Sequence, residues 1–171
     1  MIQDIEDDAW MLRSKVRKNF RVLVEHDVAY DFLTHPRHLK HTLDIIRTTP
    51  GLRCVIDHIS KPHIKDGKLD PWRDDLAAIA KHDNVYCKFS GLVTEADHAN
   101  WTLDDLRPYA EHVVACFGLE RLMFGSDWPV CTLAASYDQV IDAAEQLLEP
   151  HLDAASREAV FGANAMRFYQ L

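Results

Sequence analysis

Apolar positions along the chain follow two different periods. In some stretches they recur every three or four residues, which is the spacing of one helix face, and in others they form short runs typical of buried strands. Predicted helices cover about 13–26, 35–48, 71–80, 101–117, 136–148 and 153–169. Predicted strands cover 28–33, 53–58, 85–89 and 121–127, and the segment 90–100 is predicted to be a loop.

Strands that alternate with helices predict a parallel sheet. Right-handed crossover helices connect neighbouring strands in this arrangement, so the fold class is α/β with about four parallel strands and flanking helices. A chain of 171 residues can bury roughly 70% of the surface that its unfolded form exposes. We therefore expect one domain over residues 1–171.

Composition and charge exclude several classes of protein. The formal net charge of −8 argues against nucleic acid, and no apolar run approaches the ~18 residues that cross a bilayer. The first eight residues are acidic where a secretory signal is basic, which favours the cytoplasm. The four cysteines are widely spaced, and we expect them to be buried and reduced.

Polar side chains at the ends of the predicted strands are the candidates for chemistry. His58 ends the second strand, Lys88 lies near the end of the third, and Asp127 ends the fourth. The carboxyl ends of parallel strands share one rim, so these residues can converge. Asp127 can act as a general base or a metal ligand, His58 can bind a metal or polarise a carbonyl, and Lys88 can hold an anionic substrate group.

The same residues also fit a purely structural arrangement. A Lys88–Asp127 ion pair beside a hydrogen-bonded core histidine explains the pattern equally well, because buried ion pairs place the same residue types at the same positions. Spacing alone leaves both interpretations open.

Three other residues are candidates for contact with a substrate. Asp31 lies within the first predicted strand, Lys61 follows His58 in a loop, and Trp128 follows Asp127. A surface lysine and a packing tryptophan are the alternatives for the last two. Three histidines at a spacing of three residues are interpreted as a solvated helix face rather than a metal site: His35, His38 and His41.

Three segments resemble a known family. They are Cys54–Pro62, Val85–Glu95 and Arg121–Pro129, with the sequences CVIDHISKP, VYCKFSGLVTE and RLMFGSDWP. Together they resemble the amidohydrolase-2 branch of the metal-dependent hydrolase superfamily, and within it the sugar-lactone and dicarboxylate-lactone hydrolases. The resemblance continues to Asn164–Tyr169 and so covers almost the whole chain.

The resemblance implies a (β/α)₈ barrel and a lactone substrate. By resemblance, His58 corresponds to the family's active-site histidine on the sixth strand, Lys88 to a lysine on the seventh, and Asp127 to the aspartate after the eighth. Asp127 would then deprotonate the hydrolytic water, and a metal or cationic side chains would polarise the lactone carbonyl. Members differ in their need for a divalent ion, so the expected cofactor is either zinc, bound by His58 and Asp127, or none.

The chain departs from the family pattern in three ways. It has no His-x-His, which the family carries on its first strand, it has four predicted strands, and its 171 residues fall below the ~200 that a full barrel takes. These departures predict the carboxyl-terminal half of a barrel, truncated at its N-terminus. We expect such a chain to be incomplete as an enzyme on its own.

Half a barrel leaves two sheet edges unpaired and an inner face uncovered. We expect Tyr30, Ile56 and Met123 to meet water, and copies of the chain to associate through the edges. Two alternatives to a lactonase stay open, namely a non-catalytic fragment that binds a partner and a decarboxylase of the same superfamily. The segment Lys88–Glu95 resembles the lactonases more closely than the decarboxylases.

Overall fold

Four strands alternate with helices in the computed structural model, which describes residues 4–171. The strands are β1 (Tyr30–Phe32), β2 (Cys54–Ile56), β3 (Val85–Phe89) and β4 (Leu122–Phe124). The α-helices are α1 (Ser14–Glu25), α2 (Leu39–Thr48), α3 (Trp72–Ala80), α4 (Leu92–Glu95), α5 (Leu103–Phe117), α6 (Tyr137–Leu148), α7 (Ala154–Glu158) and α8 (Asn164–Tyr169). None of the helices in this range is long and apolar enough to span a bilayer.

The strands form one parallel sheet in the order β1-β2-β3-β4. Val55 of β2 is opposite Asp31 of β1 and Tyr86 of β3, and Lys88 of β3 is opposite Met123 of β4. Because directly opposed residues point to the same side, these five side chains share one face of the sheet. The predicted α/β class, with four parallel strands and flanking helices, is confirmed.

The regular elements are shorter than the sequence predicted. β2 and β4 stop before His58 and Asp127, since the backbone takes positive φ angles at both residues. The predicted loop 90–100 contains α4, and a π-helical turn, Ala159–Ala163, divides the last predicted helix into α7 and α8. The spacing of apolar residues predicts the strands and helices, but it carries no signal for these local changes of the backbone.

The larger apolar core lies between one face of the sheet and the helices that cover it. Cys54 and Ile56 of β2, Cys87 and Phe89 of β3, and Leu122 of β4 all point into this core and are at most 1% exposed. Burial of one large apolar side chain stabilises the fold by about 1.5–3 kcal/mol. This core therefore supplies most of the apolar stabilisation of the sheet.

The opposite face of the sheet is covered by α8. Phe168 packs against Val55 and Met123, and only 1% of Met123 is exposed. The expectation that Ile56 and Met123 meet water is therefore wrong, because Ile56 is buried in the larger core and α8 covers Met123. Tyr30 packs against the larger core and is partly exposed.

Hydrogen bonds hold α8 at the amino-terminal ends of the strands. The Asn164 side-chain amide donates to the carbonyls of Leu119 and Leu122, both at 2.7 Å. Arg53, directly before β2, donates to the carbonyl of Phe168. Helix α8 is therefore anchored near the amino-terminal ends of β2 and β4, and it packs across the inner face of the sheet.

Within residues 4–171, β1 and β4 each have a neighbouring strand on one side only. Such edges present unpaired N–H and C=O groups to any further strand. Association of copies through these edges stays a prediction.

Phe168→Ala tests whether the inner face depends on α8. Loss of a buried phenylalanine leaves a cavity, so we expect the free energy of unfolding in urea to fall by about 3–5 kcal/mol. Met166→Ala is the matched control, because Met166 lies on the same helix and is 55% exposed, and its expected change is within about 0.5 kcal/mol. Equal losses in the two variants would contradict this account of α8.

Candidate active site

A cavity of about 340 Å³ opens at the carboxyl ends of β2, β3 and β4. Polar and aromatic side chains from these ends and from α8 line it: Asp57, His58, Lys88, Asp127, Trp128 and Tyr169. The predicted candidates His58, Lys88 and Asp127 therefore lie around one opening, as the carboxyl ends of parallel strands do.

His58 takes its position from a sharp turn after β2. The four residues His58–Lys61 have positive φ angles between 46° and 60°, a conformation that costs about 1–2 kcal/mol per residue with a side chain. A buried contact supports the turn, because the Trp72 indole donates a 2.7 Å hydrogen bond to the carbonyl of Ile59. The turn takes His58 out of the alternation of β2 and points its ring into the cavity.

The His58 ring lies between a serine and two carboxylates. Its Nδ1 is 2.8 Å from Ser90 Oγ, and its Nε2 is 3.5 Å from both Asp57 Oδ2 and Asp127 Oδ1. The carboxylates favour the ring proton on Nε2, so Nδ1 accepts the hydrogen bond of the Ser90 hydroxyl. Burial lowers the pKa of His58 against the opposing effect of the two carboxylates, which keeps the ring neutral at neutral pH.

Asp127 is held at the cavity by its own backbone and by α4. Its φ is 57°, and 8% of its side chain is exposed. The Thr94 hydroxyl donates to Asp127 Oδ2 at 3.3 Å, while Oδ1 faces His58. A carboxylate with one oxygen near an imidazole and little solvent around it is suited to accept a proton from a bound water.

Lys88 forms ion pairs with two carboxylates, but not with Asp127, the partner that the structural alternative in the sequence analysis predicted. Its Nζ lies 2.6 Å from Asp31 Oδ2 and 3.2 Å from Asp57 Oδ1, so the predicted Lys88–Asp127 ion pair is wrong. Burial by itself lowers the pKa of Lys88, but the hydrogen bond to Asp31 and the charge of Asp57 outweigh it and raise the pKa. The ammonium group is therefore charged and compensated within the protein.

The three weaker candidates lie in different settings. Asp31 accepts hydrogen bonds from Lys88 and Tyr169. Lys61 Nζ pairs with Glu95 Oε1 at 3.3 Å. Trp128 is 66% exposed at the mouth of the cavity, which is the position of a wall for a bound molecule rather than of a core residue. Their roles toward a substrate stay predictions.

Sequence reasoning missed several residues of this site. Asp57, Ser90 and Thr94 contact the His58–Asp127 pair, and Tyr169 contacts Asp31. Asp57 did carry a signal, because a carboxylate at the end of an apolar run is costly to bury without a partner. Ser90, Thr94 and Tyr169 gave none, since side chains of these types occur throughout the surface of proteins.

The histidines before and within α2 are not a solvated face. His38 is fully buried, with Nε2 3.4 Å from Asp8 Oδ1, so that interpretation is wrong for His38. Burial, together with the charges of Arg37 and Lys61, lowers the pKa of His35 to about 4. His35 is therefore neutral at pH 7.

Comparison with known proteins gives the class. The sequence pattern of the Amidohydro_2 family, described as amidohydrolase, matches residues 3–171, and the chain belongs to this family. The L-fucono-1,5-lactonase of Burkholderia ambifaria is 40% identical over 175 residues, which cover 100% of this chain and 60% of that protein.

Solved structures show the same fold. An amidohydrolase from Burkholderia multivorans with bound zinc superposes with a TM-score of 0.94 at 37% identity, over 99% of this chain and 62% of that chain. The probable 2-pyrone-4,6-dicarboxylic acid hydrolase of Acinetobacter baumannii, with citric acid bound, superposes with a TM-score of 0.78 at 18% identity, over 94% and 59% of the two chains. The present chain thus spans about 60% of the length of these relatives.

Because the Burkholderia multivorans structure contains bound zinc, the question arises whether the present site can hold a metal. Among the residues that the structure describes, no group of three or more His, Cys, Asp or Glu side chains is arranged to hold one. His58 and Asp127 offer two ligands, and Asp57 is paired with Lys88, whereas a catalytic zinc takes three protein ligands. The residues from 4 to 171 do not fit a metal site by themselves.

Gly91→Ala tests how His58 is held. Gly91 has a φ of +71°, and an added Cβ would lie 2.8 Å from His58 Cβ. Gly67→Ala is the matched control, because Gly67 has a φ of +64° with no atom within 4 Å of its added Cβ. Both variants carry the left-handed cost of about 1–2 kcal/mol, and we expect Gly91→Ala to lose about 1–3 kcal/mol more in urea unfolding through overpacking. Equal losses would show that His58 does not occupy this position.

Proposed function

We propose that this chain supplies the catalytic rim of a hydrolase that opens the ring of a sugar-acid lactone with an activated water. The observation that carries the proposal is the placement of His58 Nε2 at 3.5 Å from the Asp127 carboxylate in the cavity at the strand ends. The 40% identity to an L-fucono-1,5-lactonase supports the substrate class. Because that match covers 60% of the relative, the activity of the whole protein is part of the proposal.

In the proposed reaction, Asp127 is the acceptor of one proton. A water in the cavity attacks the lactone carbonyl carbon, and Asp127 accepts the proton that the water loses. The bond between the carbonyl carbon and the ring oxygen then breaks, and the ring oxygen takes this proton back from Asp127 to give the open hydroxy acid. His58 keeps Asp127 Oδ1 oriented, Ser90 sets the tautomer of His58, and Thr94 holds the second carboxylate oxygen.

The charge of the site favours an uncharged sugar lactone over a dicarboxylate lactone. Lys88, which was predicted to hold an anionic group, is paired with Asp31 and Asp57, and Lys61, a predicted substrate contact, is paired with Glu95. Asp127 adds a further negative charge at the cavity. An anionic substrate therefore meets repulsion, whereas the hydroxyl groups of a sugar can bind the carboxylates. Trp128 offers an exposed aromatic face for the C–H side of a sugar ring.

A second candidate function is a half barrel that binds a complementing polypeptide without catalysis of its own. The pairing of β1 and of β4 with a neighbouring strand on one side only, within residues 4–171, favours it.

We also propose that the protein is located in the cytoplasm. The four free cysteines support this location, because free thiols persist in a reducing compartment.

Asp127→Asn tests the proposed base. The change keeps the side-chain volume but removes the proton acceptor, so we expect acid release from a neutral sugar 1,5-lactone to fall by about 10²–10⁴-fold. Asp104→Asn, at a side chain that is 92% exposed, is the matched control and keeps full activity. The assay is run on the chain alone and on a mixture with the part of the Burkholderia ambifaria lactonase outside the match. Turnover in neither arm, or turnover that survives in Asp127→Asn, would contradict the proposal.

The charge of the substrate is tested with three lactones of the same ring size. One is neutral, one carries a carboxylate, and one carries the matching carboxamide. We expect kcat/KM for the carboxylate to be roughly 30-fold or more below that for the carboxamide, because like charges repel by several kcal/mol at short range. Equal values for the two would contradict the inference from the paired lysines.

A further inference from the structure

A column of polar groups connects α8 with the candidate active site. The Tyr169 hydroxyl, in the last turn of α8, lies 2.9 Å from both carboxylate oxygens of Asp31 and donates to them. Asp31 Oδ2 is 2.6 Å from Lys88 Nζ, and the same Nζ is 3.2 Å from Asp57 Oδ1. Asp57 Oδ2 in turn lies 3.5 Å from His58 Nε2.

The column runs along the inner face of the sheet from Asp31 in the middle of β1 to His58 beyond the carboxyl end of β2. Helix α8 is fixed to the amino-terminal ends of β2 and β4, whereas His58 follows the carboxyl end of β2. In barrels of parallel strands the amino-terminal end serves stability and the carboxyl end carries the chemistry. Tyr169 thus brings a group from the stabilising end into the cavity of the site.

Asp57 depends on this column for its charge compensation. Its Oδ1 is buried, and none of the described residues donates a well-aligned hydrogen bond to it. The Lys88 ammonium at 3.2 Å is the cation that faces this oxygen. A lysine side chain has four rotatable carbons and loses much entropy when it is fixed in one geometry. The strong contact with Asp31 is what holds the ammonium group between the two carboxylates.

We propose that Asp31 and Tyr169 are positioning residues for the hydrolysis, and that they act by fixing Lys88 against Asp57 beside His58. The inference rests on the proposed function for its catalytic part and on the geometry alone for its structural part. Burial and the hydrogen bond to Asp31 raise the pKa of Tyr169 to about 12, so the hydroxyl keeps the proton that it donates. Asp31 thereby changes from a predicted substrate contact to a support for Lys88.

The structural part is tested by the reactivity of Lys88 toward an amine-acetylating reagent. Mass spectrometry of peptides measures the acetylation rate of Lys88 relative to Lys61 in the full chain at fixed pH. In Asp31→Asn we expect this ratio to rise about tenfold, which corresponds to about one pKa unit in the fraction of free amine, and in Tyr169→Phe about threefold. Tyr86→Phe is the matched control, since Tyr86 also packs against the α8 residue Phe168, and its ratio stays at the wild-type value.

The catalytic part is tested by steady-state kinetics with the neutral lactone. We expect kcat of Tyr169→Phe and Asp31→Asn to fall about tenfold while KM changes less than twofold, because a positioning residue affects the reacting groups rather than uniform substrate binding. A rise in KM at constant kcat would overturn the proposal and return Asp31 to the role of a substrate contact. Lys88→Arg keeps the positive charge and is expected to recover part of the activity that Lys88→Met loses.

The outcomes separate this proposal from the proposed function. Unchanged Lys88 reactivity in both variants would overturn the column, whatever the activity of the chain. Raised reactivity with lower kcat supports it, and raised reactivity with unchanged kinetics overturns the positioning role. If the wild-type chain has no lactone turnover in either assay arm, raised Lys88 reactivity still supports the structural part, and the proposed function alone fails.

Discussion

Compensation of the buried Asp57 carboxylate by the Lys88 ammonium is the interaction on which the candidate site depends. Lys88 reaches this carboxylate at 3.2 Å while Asp31 holds it from the other side at 2.6 Å. An uncompensated charge at Asp57 would cost several kcal/mol, so neither residue can be placed without the other. The backbone is consistent with this pairing. The left-handed turn His58–Lys61 follows Asp57 directly and directs the His58 imidazole into the same cavity.

The parallel sheet makes these contacts possible across long distances in sequence. The register of the sheet places Asp31 of β1 and Lys88 of β3 on one face, and Asp57 and Asp127 follow the carboxyl ends of β2 and β4. Helix α8 then closes the inner face with Phe168 and adds the Tyr169 hydroxyl. The apolar packing and the polar column therefore stabilise the same arrangement of the sheet.

The sequence predicted the strands, the helices and the polar residues at the carboxyl ends of the strands, but not which charged residues pair with one another there. Alternation of strand and helix periods was enough for the parallel α/β sheet, and the polar residues after apolar runs were enough for His58, Lys88 and Asp127. The choice of Asp31 and Asp57 as partners of Lys88 depends on distances across three strands, which no local pattern carries. The left-handed turn at His58–Lys61 was equally hidden, because residues with side chains rarely adopt this conformation. The coverage of Met123 by α8 depends on a helix that begins 41 residues later in the chain, at Asn164.

The tautomer of His58 tests the central arrangement most directly. Long-range ¹H–¹⁵N correlation spectra of ¹⁵N-histidine-labelled protein distinguish a proton on Nε2 from one on Nδ1. We predict a neutral His58 with its proton on Nε2 at pH 7.5, since Asp57 and Asp127 flank Nε2 and Ser90 donates to Nδ1. A His58 with its proton on Nδ1, or one with the averaged shifts of a solvent-exposed ring, would contradict this prediction.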